Sequence, residues 1–418
     1  CLDERGVTGG QPTITPQLSQ TQTSACPAAG GFVFGVHPRL RSARGKLCLM
    51  RVFNCDHCGH LVFFDSVQCL HCGNTLAFAP DQLTMATLAP APQDGAGLWR
   101  RMGERGGSAP TGKLYRMCSN RAAYGACNFA VPANDYSPLC VSCRQTRVLP
   151  DLSEPTNLGR WQQVESAKRQ LFYTLARLGL EPVPGRAGPV FEFLADWPGG
   201  PQVLTGHQGG TITLNVAEAD DDERARRRIA LGEPYRTLIG HLRHESGHFY
   251  WDQLVQGGAR LEEFRRVFGD ERADYAAALQ AHYAKGVDVG PWAERHVSAY
   301  ASAHPWEDWA ETWAHYLHMV DLLETAASYQ LGVTVPTPPF GPQPAMRHTV
   351  SDPFGSPAPS FDDMVGQWVP VTLLLNSLNR SLGQSDAYPF ALSAGAMVKL
   401  RFVHDLVQAV RQPPAQAV

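Results

Sequence analysis

PYRTLIGHLRHESGHFYWDQLVQ, residues 234–256, is the stretch on which the reading of this chain turns. Pro234 stands near its start and Gly257–Gly258 lie past its end, so it reads as one helix. Inside it stands His244-Glu245-Ser246-Gly247-His248, an HExxH pattern. A spacing of four puts His244 and His248 one above the other on a single helix face, where both imidazoles can reach one ion. Glu245 lies beside them and can take a proton from water. Zinc brings the pKa of a water it binds to about 7, and a neighbouring carboxylate then completes the activation.

A catalytic zinc takes a third protein ligand and keeps a fourth position open. Working outward, the segment YASAHPWEDWAE (300–311) offers two carboxylates one turn apart, Glu307 and Glu311, on a helix that Pro305 can start. The first can bind metal while the second orients a ligating histidine through its other ring nitrogen. Trp306, Trp309 and Trp313 make this helix largely buried. Paired carboxylates there are costly without a cation. Asp270 and Asp274 in GDERADY are the rival pair; they also read as a helix N-terminus with acidic residues in its first turn. His241, His282, His296, His304 and His315 are expected as packing or surface residues.

The chain has 11 cysteines, and eight of them fall between 55 and 143. Cys55-x2-Cys58 and Cys69-x2-Cys72, each followed by glycine, have the spacing of a closed four-thiolate zinc site, with the β-rich LVFFDSVQ fitting the hairpin of a ribbon. Cys118, Cys127, Cys140 and Cys143 are expected to hold a second structural zinc, although only the last two have knuckle spacing. Lys113, Arg116, Arg121, Arg144 and Arg147 make this second module mildly basic, which reads as a solvated face rather than a nucleic-acid surface. Cys1, Cys26 and Cys48 have no assigned role.

A net charge of −3 over 418 residues argues against nucleic-acid binding through overall charge, and no apolar run is long enough to span a bilayer. Residues 1–49 lack the pattern of an export signal and read as a disordered or non-native extension, with Met50 as the expected start of translation. Clustered thiols without an export signal point to a reducing, cytoplasmic setting. The expected organisation is a zinc ribbon over 50–80, a Pro/Ala/Gly linker over 81–110, a second four-cysteine zinc module over 111–149 and a mainly helical domain over 150–418. The fold class is α+β: small β modules, then helices with a small sheet. Helices are expected over 161–180, 270–285 and 305–328, with a hairpin around Gly209–Gly210, a Pro-rich loop over 333–360 and two closing helices. TITLNVAEAD (211–220) is the expected edge strand over the active-site helix, with Asn215 near the cleft.

HESGH followed by Tyr300 and the EDWAE helix resembles the gluzincin class of metallopeptidases, anthrax lethal factor among them. From residue 50 onward the chain resembles bacterial zinc-ribbon metallopeptidases. The resemblance implies a zincin-like catalytic domain in which Glu307 is the third ligand, Glu311 its supporting partner and Tyr300 an oxyanion stabiliser. The function expected is zinc-dependent hydrolysis of peptide bonds in a peptide or protein substrate, with one catalytic and two structural zincs. Two alternatives stand beside it. In one, the ribbons bind a macromolecular partner and the HExxH site is structural. In the other, the same residues cleave a non-peptide or branched amide.

Overall fold

Short strands hold the cysteine knuckles at the front of the molecule, and long apolar helices carry the rest. The computed structural model describes residues 52–103, 112–182, 187–231, 235–285, 291–335 and 347–411. The expected disorder of residues 1–49, and the start at Met50, lie outside them.

β1 (Val52–Asn54) and β2 (Leu61–Phe63) pair antiparallel around the first knuckle. β3 (Thr75–Ala79), β4 (Thr84–Pro90), β5 (Trp99–Arg101) and β6 (Leu114–Met117) follow. After the short helix α1 (Ser119–Tyr124) comes β7 (Ala130–Pro132). β3 to β7 form one antiparallel sheet in sequence order.

The segment expected as a linker therefore contains β4 and β5. Pro92, Gly95 and Gly97 belong to the β4–β5 connection, while Met85, Ala86 and Leu88 are buried in the sheet. The two cysteine modules share this sheet: Phe78 N of β3 donates to Asn128 O, just before β7, at 2.9 Å. Their eight thiols pack in one cluster with Phe64, Phe78 and Phe129.

β8 (Thr146–Val148) leads into α2 (Pro155–Arg177). Val164, Ala167, Leu171, Leu175 and Leu178 make its buried stripe, and Gly179 at φ 71° ends the helix, with Leu180 N donating to Leu175 O. β9 (Val190–Leu194), β10 (Gly206–Gln208) and β11 (Thr211–Asn215) complete a four-stranded sheet in the order β10-β11-β9-β8. The expected hairpin is present, turned by Gly209 and Gly210 at φ 54° and 81°.

The helices α3 (Asp221–Leu231), α4 (Leu238–Leu254), α5 (Leu261–Phe268), α6 (Tyr275–Lys285) and α7 (Pro305–Ser328) come next. Within the expected Pro-rich loop, β12 (Gly332–Thr334) and β13 (Arg347–Thr349) pair, and α8 (Phe361–Ser381) and α9 (Ala394–Arg411) close the chain. One apolar core joins α2, α4, α7 and α9 to the inner face of the β8–β11 sheet, with Trp161, Trp309 and Trp313 fully buried. The fold is α+β. No helix among the described residues is long and apolar enough to cross a membrane.

Candidate active site

Two helices build the site. α4 starts at Leu238, where the Thr237 hydroxyl accepts from Gly240 N at 3.1 Å. α7 starts at Pro305, as expected, and the residue before it, His304, caps the helix by accepting from Trp306 N at its Nδ1. The helices lie closest at Gly247, where an added Cβ would come 2.9 Å from the Ala310 Cα. Trp309 Nε1 donates to the Gly247 carbonyl at 2.8 Å and Trp313 Nε1 to the Ser246 hydroxyl at 3.2 Å.

This contact brings Glu307 to the HExxH face. Glu307 Oε2 lies 3.0 Å from His244 Nε2 and 3.5 Å from His248 Nε2. The oxygen is buried and makes no hydrogen bond. One ligand atom each from His244, His248 and Glu307 lies within 4.8 Å of the others. Two imidazoles and a carboxylate with that spacing suit zinc.

Behind this set, His244 Nδ1 is 2.7 Å from Glu311 Oε1, and Ser298 Oγ donates to Glu311 Oε2 at 2.7 Å. Burial alone would raise the Glu307 carboxyl, but the imidazoles of His244 and His248 outweigh it and hold it well below the ordinary carboxylate range. Burial would likewise raise Glu311, yet His244 beside it brings the carboxyl down to about 2. Burial opposes charging His244, and Glu307 and Glu311 push it well above the usual imidazole value. The pocket therefore calls for positive charge, a demand that a divalent ion would meet.

Tyr300 lies beside this set, and Glu245 stands half-buried next to His244 on α4. Burial, then the charge on Glu307, raises the Tyr300 phenol, and Glu245 contributes to the same shift. The ring of Tyr300 is 6.0 Å from that of His244, centroid to centroid.

The rival carboxylates are elsewhere. Asp270 is exposed and paired with Arg272, and Asp274 is exposed and accepts from Ala277 N at 3.0 Å at the head of α6. Of the remaining histidines, His241 meets Glu218 at 2.5 Å, His315 meets the Tyr388 hydroxyl, and His282 and His296 pack against Tyr300 and Trp292.

The expected edge strand needs correction. β11 is an inner strand, flanked by β10 and β9. Asn215 at its end is fully buried, its Nδ2 donating to Asp196 Oδ2 at 2.7 Å and its Oδ1 accepting from Ala217 N at 3.0 Å. β10 is the edge, and its His207 stacks toward His248 (6.2 Å) and meets Phe249 edge-on (6.3 Å). Trp306 also packs on His248 at 3.9 Å, and its ring lies 6.2 Å from that of His207.

Sequence reasoning passed over Tyr275, His207 and Ser298. Tyr275 donates to Glu307 Oε1 at 2.7 Å, and the signal for it was one position past Asp274. Nothing in the spacing marks Ser298.

Two family models match the chain. Residues 157–406 match a model described as "Putative zinc-binding metallo-peptidase", and residues 52–154 match a zinc-ribbon domain. The chain belongs to this metallopeptidase family. Uncharacterized proteins of Mycobacterium bovis and Mycobacterium tuberculosis are similar to it, each 36% identical over 370 residues that cover 86% of this chain and 96% of the relative. No solved structure matches it.

In this chain the ribbon region brings together two further candidate ligand sets. Cys55, Cys58, Cys69 and Cys72 form one; Cys118, Cys127, Cys140 and Cys143 form the other, each with its sulfurs within 4.8 Å. All eight are free thiols. Gly59 and Gly73, both at φ 72°, turn the chain after the two knuckles of the first set. Cys118 and Cys127 come together despite their irregular spacing because β6 and β7 pair, with Cys118 just after the one and Cys127 shortly before the other. The second set is wholly buried and backs onto α2, where the Cys143 sulfur is 3.9 Å from Glu165 Oε2. Glu165 is itself held by Lys168 Nζ at 3.0 Å and by the Thr146 hydroxyl at 2.7 Å.

Proposed function

We propose that this chain hydrolyses peptide bonds in a peptide or protein substrate, as a gluzincin-type enzyme whose zinc is held by His244, His248 and Glu307. The observation that carries the reading is Glu307 Oε2, buried without a hydrogen bond between the two HExxH imidazoles. When bound, zinc supplies a Lewis acid that polarises the scissile carbonyl and makes water acidic enough to attack at neutral pH.

The protein's own groups do the rest. Glu245 takes the proton of the attacking water and returns it to the leaving amine. Tyr300 donates to the oxyanion, an interaction that strengthens as charge develops. Glu311 holds the His244 ring so that Nε2 faces the ion, and Ser298 holds Glu311. The edge strand β10 offers unpaired backbone beside the cleft for an extended substrate. The two cysteine quartets each hold a structural zinc, so the chain carries three ions. Thiolate zinc sites of this kind suit a reducing compartment such as the cytoplasm.

Glu245→Gln tests the reading. Assayed on proteome-derived peptides, the variant is expected to keep all three zincs and lose cleavage by about 10²–10⁴-fold. Cleavage at the rate of the unsubstituted protein would overturn it.

A further inference from the structure

α6, in which Ala276, Ala277, Gln280 and Tyr283 are exposed and His282 packs against Tyr300, opens with Tyr275. Its ring packs edge-on against His304 at 5.3 Å and Trp306 at 5.8 Å. Its hydroxyl reaches inward and donates to Glu307 Oε1 at 2.7 Å.

We infer that Tyr275 is a positioning residue that fixes how Glu307 presents itself to the metal; the inference rests on Glu307 being a ligand, as proposed above. A carboxylate has two oxygens and can bind an ion through one or both. Here the two are in different surroundings. Oε2 faces His244 and His248, while Oε1 accepts a charge-assisted hydrogen bond from a phenol. That bond occupies Oε1 and restrains rotation of the carboxylate. Glu307 is thereby held for one-oxygen ligation through Oε2, which leaves the fourth position of the ion open for chemistry. The orientation of a ligand on α7 thus depends on the docking of α6, an element that adds little to the core.

The test is Tyr275→Phe in the full chain, which removes the hydroxyl and keeps the ring against His304 and Trp306. Zinc affinity is read by chelator competition, and the coordination sphere by the visible spectrum after cobalt(II) is exchanged into the His/Glu site. The expected result is affinity weaker by about 10–100-fold at that site, a changed cobalt spectrum, and both cysteine sites still filled. Unchanged affinity together with an unchanged cobalt spectrum would overturn the inference. If the unsubstituted chain holds only two ions, both on cysteine, the assignment of Glu307 as a ligand fails instead, an outcome that the behaviour of Tyr275→Phe cannot mimic.

Discussion

Gly247 of α4 sits directly against Ala310 of α7, so close that a single methyl group on Gly247 would lie 2.9 Å from the Ala310 Cα and 3.2 Å from Trp313 Cδ1. The second variable position of the HExxH motif is thus where the two metal-bearing helices touch, and it is glycine because backbone, not a flexible side chain, fills the space. Gly247→Ala gains about 1 kcal/mol of helix propensity but has to part the helices. Overpacking of this kind costs about 1–3 kcal/mol, and it carries Glu307 away from the histidines. The expected outcome is a lower melting temperature together with weaker zinc binding at the His/Glu site, read by calorimetry and chelator competition. A variant with both properties unchanged would show that the helices have room to spare.

Glu311 supports His244 without touching the ion's side of the ring. Glu311→Gln keeps the shape and removes the charge, and is expected to weaken zinc binding at the site by about 10–100-fold. Ser298→Ala, one bond further out, should have a smaller effect in the same direction. Elemental analysis after dialysis against a weak chelator should give three zincs for the unsubstituted chain and two for Glu307→Ala.

A pH dependence of stability follows from His315. It is buried in α7 beside Tyr388, and burial lowers its pKa to about 4, with Glu311 pulling only weakly the other way. In the unfolded chain it titrates at about 6.5, so the unfolded state takes up a proton first as the pH falls. Its neutral form is stabilised by folding, so stability is complete above ~6.5 and declines toward pH 4, by up to about 3 kcal/mol. His315→Gln, which keeps an acceptor for Tyr388, should flatten that decline. The check is the difference in urea midpoint between the two proteins across this window; parallel curves would dismiss the role given to His315.

The two cysteine quartets should differ in what they hold up. Cys140 is buried in the cluster that includes Phe172 and Tyr173 of α2, whereas Cys58 and Cys72 are partly exposed on the outer ribbon. Cys140→Ser and Cys72→Ser should each lose one zinc. Cys140→Ser should also lower the melting temperature of the whole chain, because Glu165 and Lys168 of α2 are braced against that site. Equal melting temperatures in the two variants would count against this coupling.

Much of the site was open to inspection in the sequence because its parts are local. His244 and His248 share a face through helix periodicity alone, Glu307 and Glu311 do the same after Pro305, and the Cys-x2-Cys pairs announce their knuckles. What stayed hidden depends on strand order and on helix docking. TITLNVAEAD has the alternation of a strand, yet alternation does not say which of its neighbours lies outermost, and the short β10 takes the edge instead. The Pro/Ala/Gly composition of residues 81–110 concealed two strands because Pro92, Gly95 and Gly97 sit in the connection between them while TMATLA pairs on both sides.

By itself, then, the sequence determined the chemistry available: two imidazoles and a glutamate on one helix turn, a carboxylate pair on another, and eight thiols in two groups. Helical and knuckle geometry require no more than a few neighbouring residues, so pattern suffices. Only the tertiary structure decided which carboxylate reaches the imidazoles across the 58 residues between His248 and Glu307, and that Tyr275, Ser298 and His207 stand around them. Those placements come from the packing of Gly247 on Ala310, the docking of α6 and the register of β10, contacts between distant segments that leave no periodic trace in the chain.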